Sequence, residues 1–248
     1  MDLNRLNKEQ KDAVMHINGP MLVLAGAGSG KTRVLTNRIA YLIENGINVE
    51  NILAITFTNK AAKEMKERVF KLIGSNANSI QISTFHSLGL KLLKENYSRL
   101  GYKSNFVILD SDDTLTVVKK IMKDLNLNPK FYNARDIRNK ISSAKNELMT
   151  PSQFAKLEFD QNIIKVYEKY NKKLVINNSV DFDDLLLLPI KLFKEYPDTL
   201  KYYQDKFKYV LIDEYQDTNE AQYIFSKILS EKYKNIFVVG DNDQAIYA

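Results

Sequence analysis

The sequence contains no cysteine and only two histidines among its 248 residues. Without thiols the chain can form neither a disulfide bond nor a cysteine-ligated metal site, and two histidines argue against a histidine-rich zinc site. The sequence also lacks an apolar run of about 18 residues, and its first segment, MDLNRLNKEQ, is polar from the second residue. These absences argue against a transmembrane helix and a signal peptide. We therefore expect a cytoplasmic protein with no membrane partner.

Internal repeats and low-complexity linkers are absent as well. The length suits one α/β domain with an insertion, or two small domains. Of the net charge of +6, residues 1–94 carry +6, residues 95–178 carry +5 and residues 179–248 carry −5. The two basic parts could face a polyanion. Because lysine and asparagine are abundant throughout, the net charge alone does not separate a nucleic-acid surface from a bias of genome composition.

Apolar strands alternate with amphipathic helices in the first part of the chain. The strands are predicted over Met21–Ala25, Ile52–Phe57 and Ile80–Ser83, and the helices over Lys31–Asn45, Lys60–Ile73 and Phe85–Asn96. Further strands are predicted over Tyr209–Ile212 and Ile236–Val239. Between them, from about Tyr97 to Asn178, the pattern is helical, with a helix starting at Asp112 or Asp113. We therefore predict an α/β fold, a parallel sheet flanked by helices, with an all-helical insertion.

A glycine-rich segment, AGAGSGKT, follows the first predicted strand. Its glycines let the backbone turn tightly and aim N–H groups at phosphate oxygens. The residues of this loop are Ala25, Gly26, Ala27, Gly28, Ser29 and Gly30. After the loop, Lys31 would meet the β- and γ-phosphates, and Thr32 would be a ligand of Mg²⁺. Ala25 replaces the usual first glycine, but its side chain is small enough for the loop to form.

A second segment, VLIDEYQDT, carries two adjacent acidic residues at the end of a buried strand. Asp213 and Glu214 would lie at the carboxyl end of that strand, where α/β sheets bind their ligands. Asp213 is the candidate ligand of Mg²⁺, and Glu214 is the candidate to orient or deprotonate an attacking water. Alone, the acidic pair is equally consistent with a solvated strand end. Together with AGAGSGKT, it predicts a site that hydrolyses ATP.

Six segments carry a resemblance to a known family. They are LNKEQKDAV (Leu6–Val14), TFTNKAAKEMKERV (Thr56–Val69), TFHSLGLKLL (Thr84–Leu93), VDFDDLL (Val180–Leu186), DEYQDTNEAQ (Asp213–Gln222) and VVGDNDQAIY (Val238–Tyr247). Their order and content resemble DNA helicases of superfamily one, of the UvrD/Rep/PcrA type. Residues 97–178 are similar to this family mainly in position and helical character, so no functional residue is assigned there.

The resemblance implies roles for four residues at the nucleotide. Gln10 resembles the glutamine that reads adenine, since one amide can make the two hydrogen bonds that N6 and N7 offer. Arg33 is similar in position to an arginine that packs on the base. Gln244 resembles the residue that contacts the γ-phosphate, and Gln216 lies close in sequence to the metal carboxylate. Considered alone, Gln10 is better explained as an exposed residue of an N-terminal helix, and Arg33 as the exposed arginine that commonly follows such a loop.

The resemblance also implies a site for single-stranded DNA where two strands end and helices begin. Phe57 would stack on a base, and the N-terminus of the following helix would bind a backbone phosphate. The implied residues are Phe57, Thr58, Asn59, Lys60, Thr84, Phe85, His86 and Tyr247. Without the resemblance, Phe57 would be assigned to the core and His86 to the interior.

The acidic run DFDD at Asp181–Asp184 has two interpretations. Four closely spaced residues with three carboxylates suggest a second metal site. However, the apolar continuation through Leu185–Leu188 favours a helix whose N-terminus is capped by acidic residues. We expect the helix cap.

Taken with the resemblance, these features imply the first RecA-like domain of a 3′-to-5′ ATP-dependent DNA helicase. Residues 1–96 and 179–248 would form this domain, and residues 97–178 its helical insertion. Because the family continues into a second RecA-like domain, we expect the chain alone to bind ATP, Mg²⁺ and single-stranded DNA but to be weakly active. Two alternatives stay open: the motor part of a helicase–nuclease subunit, and a binding module that does not hydrolyse ATP.

Overall fold

The computed structural model describes residues 3–241, and its central element is a parallel β-sheet. Numbered in chain order, the strands are β1 (Met21–Leu24), β2 (Ile52–Thr56), β3 (Gln81–Thr84), β4 (Val107–Ile108), β5 (Ser179–Val180), β6 (Tyr209–Ile212) and β7 (Asn235–Gly240). Five of them form one sheet in the order β1-β7-β6-β2-β3, and all of its pairs are parallel. The other two, β4 and β5, form a separate parallel pair.

The α-helices of the described residues are also numbered in chain order. They are α1 (Lys8–Met15), α2 (Lys31–Glu44), α3 (Asn59–Ile73), α4 (Phe85–Asn96), α5 (Ser111–Asp124), α6 (Ala134–Asn146), α7 (Pro151–Phe154), α8 (Gln161–Ile176), α9 (Asp184–Glu195), α10 (Pro197–Lys206) and α11 (Glu220–Ser230). Within residues 3–241, none of them is long and apolar enough to span a membrane.

The central strands of the sheet are buried on both faces, as parallel strands between helices are expected to be. Every residue of β2 and of β6 is buried. On one face, Leu211 of β6 belongs to an apolar core that also contains Val14 of α1, Leu35 of α2 and Val69 of α3. The predicted α/β fold, a parallel sheet flanked by helices, is therefore confirmed.

Two compact units divide the chain, and each contains several segments of it. The first comprises the described residues 3–88, 193–218 and 223–241, with the five-stranded sheet. The second comprises residues 89–192 and 219–222 and has its own apolar core, to which α5, α6 and α8 contribute. These units reflect compact packing, whereas the domain boundaries predicted from the sequence follow the strand signals and stay a prediction.

The second unit differs from the prediction in two details. It is not purely helical, because Val107 and Ile108 form β4 and pair with β5. Its helix α5 begins earlier than Asp112, at Ser111, because the side chain of Asp110 accepts hydrogen bonds from the N–H groups of Asp112 and Asp113. A strand of two residues has too few positions to show an alternating pattern, and a helix start that is one or two residues early lies within the usual error of such predictions.

The DFDD run caps α9, as expected, and it also forms a buried ion cluster. Asp181 and Asp184 each accept the backbone N–H of the other at the start of the helix, at 2.9 and 3.1 Å. The ammonium of Lys145 lies 2.6 Å from Asp181 and 2.8 Å from Asp184, and the hydroxyl of Tyr170 donates to Asp181 at 2.9 Å. Burial opposes the charge of Lys145, but the two carboxylates outweigh it and raise the pKa of Lys145. The cluster therefore holds α6, α8 and α9 together within this unit.

Candidate functional site

The carboxyl ends of the five strands bring the predicted site residues to one edge of the sheet. The glycine loop leaves β1, whose neighbour β7 ends next to it, with Leu24 opposite Gly240. Asp213 follows β6 and is held by its N–H, which donates to the carbonyl of Ile55 on β2 at 2.9 Å. The candidate DNA segments follow β2 and β3, where Thr56 is opposite Thr84. The nucleotide candidates thus lie towards β1 and the DNA candidates towards β3.

The glycine loop has the backbone that its sequence predicts. Gly28 and Gly30 have φ angles of +73° and +85°, in the left-handed region that glycine enters without strain. Gly30 is followed directly by α2, whose first hydrogen bond runs from the N–H of Val34 to the carbonyl of Gly30 at 2.9 Å. Ala25 is anchored to the sheet by its N–H, which donates to Gly240 at 3.0 Å. The loop therefore presents the amino end of α2, a favourable place for an anion.

Lys31 is buried, and its ammonium group is bound by the loop and by an aspartate. The Nζ atom lies 2.9 Å from the carbonyl oxygen of Ala25 and 3.4 Å from that of Gly26. It also forms an ion pair of 2.8 Å with Oδ2 of Asp241, which follows β7 and is 1 % exposed. An ammonium group has three N–H donors. These three contacts therefore account for all of them.

Thr32 and Asp213 are brought together although they are far apart in sequence. The hydroxyl of Thr32 donates to Oδ2 of Asp213 at 3.2 Å. Burial, followed by the neighbouring charge of Glu214, raises the pKa of Asp213. A hydroxyl and a carboxylate are oxygen ligands of the kind that Mg²⁺ prefers, so the pair fits this ion.

Glu214 is held in an unusual backbone conformation next to Asp213. Its φ angle of +51° lies in the left-handed region, which few residues other than glycine adopt, and which costs of the order of 1 kcal/mol. Its carboxylate accepts a hydrogen bond of 2.8 Å from the side-chain amide of Gln216. The amide oxygen of Gln216 in turn accepts the N–H of Asp241 at 3.0 Å. Gln216 thus links the end of β7 to Glu214.

Gln10 contacts the glycine loop directly. Its side-chain nitrogen donates to the carbonyl of Ser29 at 2.8 Å. Its side-chain oxygen accepts the N–H of Asn7 at 3.2 Å, as part of the capping box that starts α1. Arg33 is exposed and donates to the carbonyl of Arg5 at 2.9 Å. The structure therefore brings Gln10 to the loop and directs Arg33 to the segment before α1.

The ring of Phe85 is buried, which corrects the role expected of it. Phe85 is only 1 % exposed, and its ring packs edge-on against that of Phe57, with 5.8 Å between the centroids. A ring in this position cannot stack on a base at the surface. Phe57 is half-buried, so its outer face is the part of this pair that solvent can reach. Phe85 supports Phe57 from beneath.

Polar side chains surround this aromatic pair at the starts of α3 and α4. Thr58 caps α3 by accepting the N–H of Ala61 at 3.1 Å. The hydroxyl of Thr84 donates to Ser87 at 2.9 Å, and Ser87 contacts Asn59 with its own hydroxyl at 3.4 Å. Asn59 and the neighbouring Lys60 are exposed. Hydrogen bonds therefore join the two segments through Ser87, with Asn59 and Lys60 exposed beside Phe57 and Thr84 buried.

His86 is partly buried at the start of α4. Burial lowers its pKa to about 4, so the imidazole is neutral at physiological pH. A neutral ring can accept or donate a hydrogen bond but brings no positive charge to a phosphate. Two other predicted residues, Gln244 and Tyr247, lie outside the described residues.

Sequence reasoning missed two residues of this edge. One is Asp241, which follows the buried strand in VVGD directly, just as Asp213 follows β6, so the sequence does contain a signal for it. The other is Ser87, which joins Thr84 to Asn59; the sequence gives no signal for it, because a serine in the first turn of a helix has many roles.

The chain has a parallel sheet, a glycine loop that leads into a helix, and a carboxylate after a nearby strand, Asp213, which accepts a hydrogen bond from Thr32 of that helix. These features define a RecA-like P-loop domain. Comparison with known proteins agrees with this class. Residues 6–248 match the family model described as the UvrD/REP helicase N-terminal domain. The chain therefore belongs to this family.

Several curated relatives share about half of their aligned residues with the chain. It is 53 % identical over 249 aligned positions to a protein named ATP-dependent DNA helicase PcrA from Bacillus subtilis (strain 168). Proteins of the same name from Staphylococcus aureus (strain Mu50) and Staphylococcus epidermidis (strain RP62A) are 50 % and 49 % identical to it. Each alignment covers 99 % of the chain but 34 % of the relative. The chain thus spans about a third of the length of the curated relatives it matches.

Proposed function

We propose that this chain is the ATP-binding and single-stranded-DNA-binding part of an ATP-dependent DNA helicase. The observation that carries the proposal is the 3.2 Å hydrogen bond between Thr32 and Asp213, which unites the two halves of the predicted ATP site. Relatives that are about 50 % identical and named ATP-dependent DNA helicases support the same function. Their names favour a helicase over the motor part of a helicase–nuclease subunit.

In this proposal, each group around the glycine loop has a separate role. The N–H groups of the loop and Lys31 bind the phosphates of ATP, while Thr32 and Asp213 hold Mg²⁺. When bound, Mg²⁺ offsets the negative charge of the phosphates and fixes their orientation. Glu214 orients the attacking water and accepts its proton, with Gln216 holding its carboxylate. Gln244 contacts the γ-phosphate.

Adenine would be recognised by Gln10, with Arg33 packing on the base. The amide of Gln10 already has its oxygen directed to Asn7 and its nitrogen to Ser29. To bind adenine, Gln10 must exchange these two bonds for two others: its oxygen would accept from N6 and its nitrogen would donate to N7. Gln10 would make as many hydrogen bonds after the exchange as before it, while the N–H of Asn7 and the carbonyl of Ser29 would turn to solvent, so selectivity for adenine is compatible with this arrangement.

Single-stranded DNA would cross the same edge of the sheet beside the nucleotide. Phe57 and Tyr247 stack on bases, and Thr58, Asn59, Lys60, Thr84 and His86 contact the backbone, with Phe85 as the support of Phe57. We further propose translocation in the 3′-to-5′ direction, in the cytoplasm. Residues 1–96 and 179–248 form the first RecA-like domain, and residues 97–178 its inserted helical subdomain.

We expect this part alone to hydrolyse ATP slowly. An arginine finger is worth about 10³–10⁵ in rate in related reactions. In this family such arginines are expected in the second RecA-like domain, and the chain spans only a third of its relatives. Glu214 and Mg²⁺ would therefore act without their cationic partners. The alternative is a module that binds ATP and DNA but does not hydrolyse ATP.

Titration with fluorescent ATP and GTP analogues tests the nucleotide site. We expect the wild-type chain to prefer the adenine nucleotide and Lys31→Ala to lose binding, because this substitution removes the charge that meets the phosphates. Lys60→Ala, which removes an exposed lysine of the same unit, is the matched control and should bind ATP as the wild type does. Equal affinity for ATP and GTP, or unchanged binding by Lys31→Ala, would refute the site.

Binding of labelled oligonucleotides tests the DNA surface. Stacking contributes about 1–3 kcal/mol per base, so Phe57→Ala should weaken binding of single-stranded DNA by about fivefold or more. Phe70→Ala removes an aromatic ring of α3 that is 48 % exposed, and it should have little effect. Affinity should also fall as salt rises. Tight binding of duplex DNA with a marked sequence preference would contradict the proposal.

A further inference from the structure

We propose that Asp241 is a counter-ion that nucleotide phosphates must displace from Lys31, so that it sets the affinity of the site. This inference rests on the proposed nucleotide site. It adds to that site a residue that competes with the ligand instead of binding it. Asp241 acts through Lys31 and is therefore a positioning residue.

The geometry of Lys31 carries the proposal. Its ammonium group has three donors, and the carbonyls of Ala25 and Gly26 and the carboxylate of Asp241 are three acceptors within 3.4 Å. An incoming phosphate oxygen can bind Nζ only if at least one of these acceptors gives way. The contact with Asp241 is the one that involves a full charge.

Burial makes this competition strong. Lys31 is 9 % exposed and Asp241 is 1 % exposed, so water screens the ion pair weakly. Separating a buried ion pair costs free energy, and that cost is subtracted from the binding of the phosphate. A nucleotide therefore binds less tightly than the loop and Lys31 alone would allow.

The test is the affinity of the chain for a fluorescent ADP analogue in the presence of EDTA, without divalent metal. Asp241→Asn keeps the size of the side chain but removes its charge. We expect it to bind ADP about five- to 150-fold more tightly than the wild type, the range that corresponds to typical coupling energies between sites. Asp205→Asn is the matched control: its partners are Lys201, Lys232 and Tyr233, and we expect its affinity to be unchanged.

Excluding the metal separates this proposal from a role of Asp241 in binding Mg²⁺. If Asp241→Asn binds ADP no more tightly than the wild type in EDTA, the proposal is overturned, whatever happens when Mg²⁺ is added. Circular dichroism checks that the variant is folded, and Asp241→Ser gives a second variant with the same expected gain. Loss of binding in Lys31→Ala with no gain in Asp241→Asn would overturn only this inference. Unchanged binding in Lys31→Ala would overturn the nucleotide site as well.

Discussion

Gly89 in α4 leaves no room for a side chain. Its replacement by alanine, which normally stabilises a helix, should therefore destabilise this protein. A Cβ atom at this position would lie 1.8 Å from the carbonyl oxygen of Leu185 in α9 and 2.9 Å from its carbonyl carbon. Cβ atoms essentially never come within 3.0 Å of another heavy atom, so the two backbones would have to separate by about 1.2 Å. No change of rotamer relieves the contact, because the atoms of Leu185 belong to the backbone.

The expected magnitude follows from two opposing terms. Alanine is favoured over glycine in a helix interior by about 1 kcal/mol. Overpacking costs about 1–3 kcal/mol and occasionally more, and a clash between backbones belongs at the upper end of that range. We therefore expect Gly89→Ala to lower the free energy of unfolding by about 2 kcal/mol, or the melting temperature by about 4–8 °C.

Thermal and urea unfolding, followed by circular dichroism, measure this effect. Gly26→Ala is the matched control, since its φ angle is not positive and a Cβ there would meet no atom within 4 Å. It should change the free energy of unfolding by less than about 0.5 kcal/mol. A Gly89→Ala variant that is as stable as the wild type, or more stable, would show that α4 and α9 are not in the close contact described here.

Three further substitutions test other parts of the structure. Lys145→Met leaves Asp181 and Asp184 buried without their cation and should lower the free energy of unfolding by about 3–5 kcal/mol, while the exposed Lys120→Met should be neutral in the same urea titration. Burial lowers the pKa of His86 to about 4 in the folded chain, below its unfolded value near 6.5. The contribution of the neutral ring to the free energy of unfolding is therefore complete above pH 6.5 and is lost as the pH falls towards 4. When the pH is lowered from 7 to 5, the free energy of unfolding measured in urea should fall by about 1 kcal/mol more for the wild type than for His86→Gln. This figure allows for solvent screening at a partly exposed ring. Glu214→Gln should lower phosphate release from ATP by about 10²-fold or more without weakening the binding of ATP, and an unchanged rate would remove Glu214 as the base.

Much of the fold could be predicted because its strands are short apolar runs with clear ends. β6 was predicted to the residue, and the other strands of the large sheet to within one residue at each end. The order of the strands could not be predicted, because it depends on how the helices pack. The pair β4 and β5 is too short to produce an alternating pattern of hydrophobicity.

At the site, sequence reasoning identified residues but not their partners. The proximity of Thr32 and Asp213 followed from placing both at carboxyl ends of strands. The contact between Lys31 and Asp241 did not, because it requires β1 and β7 to be neighbours. The sequence could not show that Phe85 is buried and Phe57 partly exposed, because the segments TFH and TFT that contain them look alike after an apolar strand.

Steady-state release of phosphate from ATP, with and without single-stranded DNA, shows whether DNA-stimulated hydrolysis needs the second RecA-like domain. The assay compares this chain with one extended through the second RecA-like domain, and Lys31→Ala in each serves as the inactive control. We predict slow release with little stimulation by DNA for residues 1–248, and fast, DNA-stimulated release for the extended chain. Equal stimulation of both chains would contradict the two-domain mechanism, and an inactive extended chain would contradict the assignment as an ATP-dependent helicase.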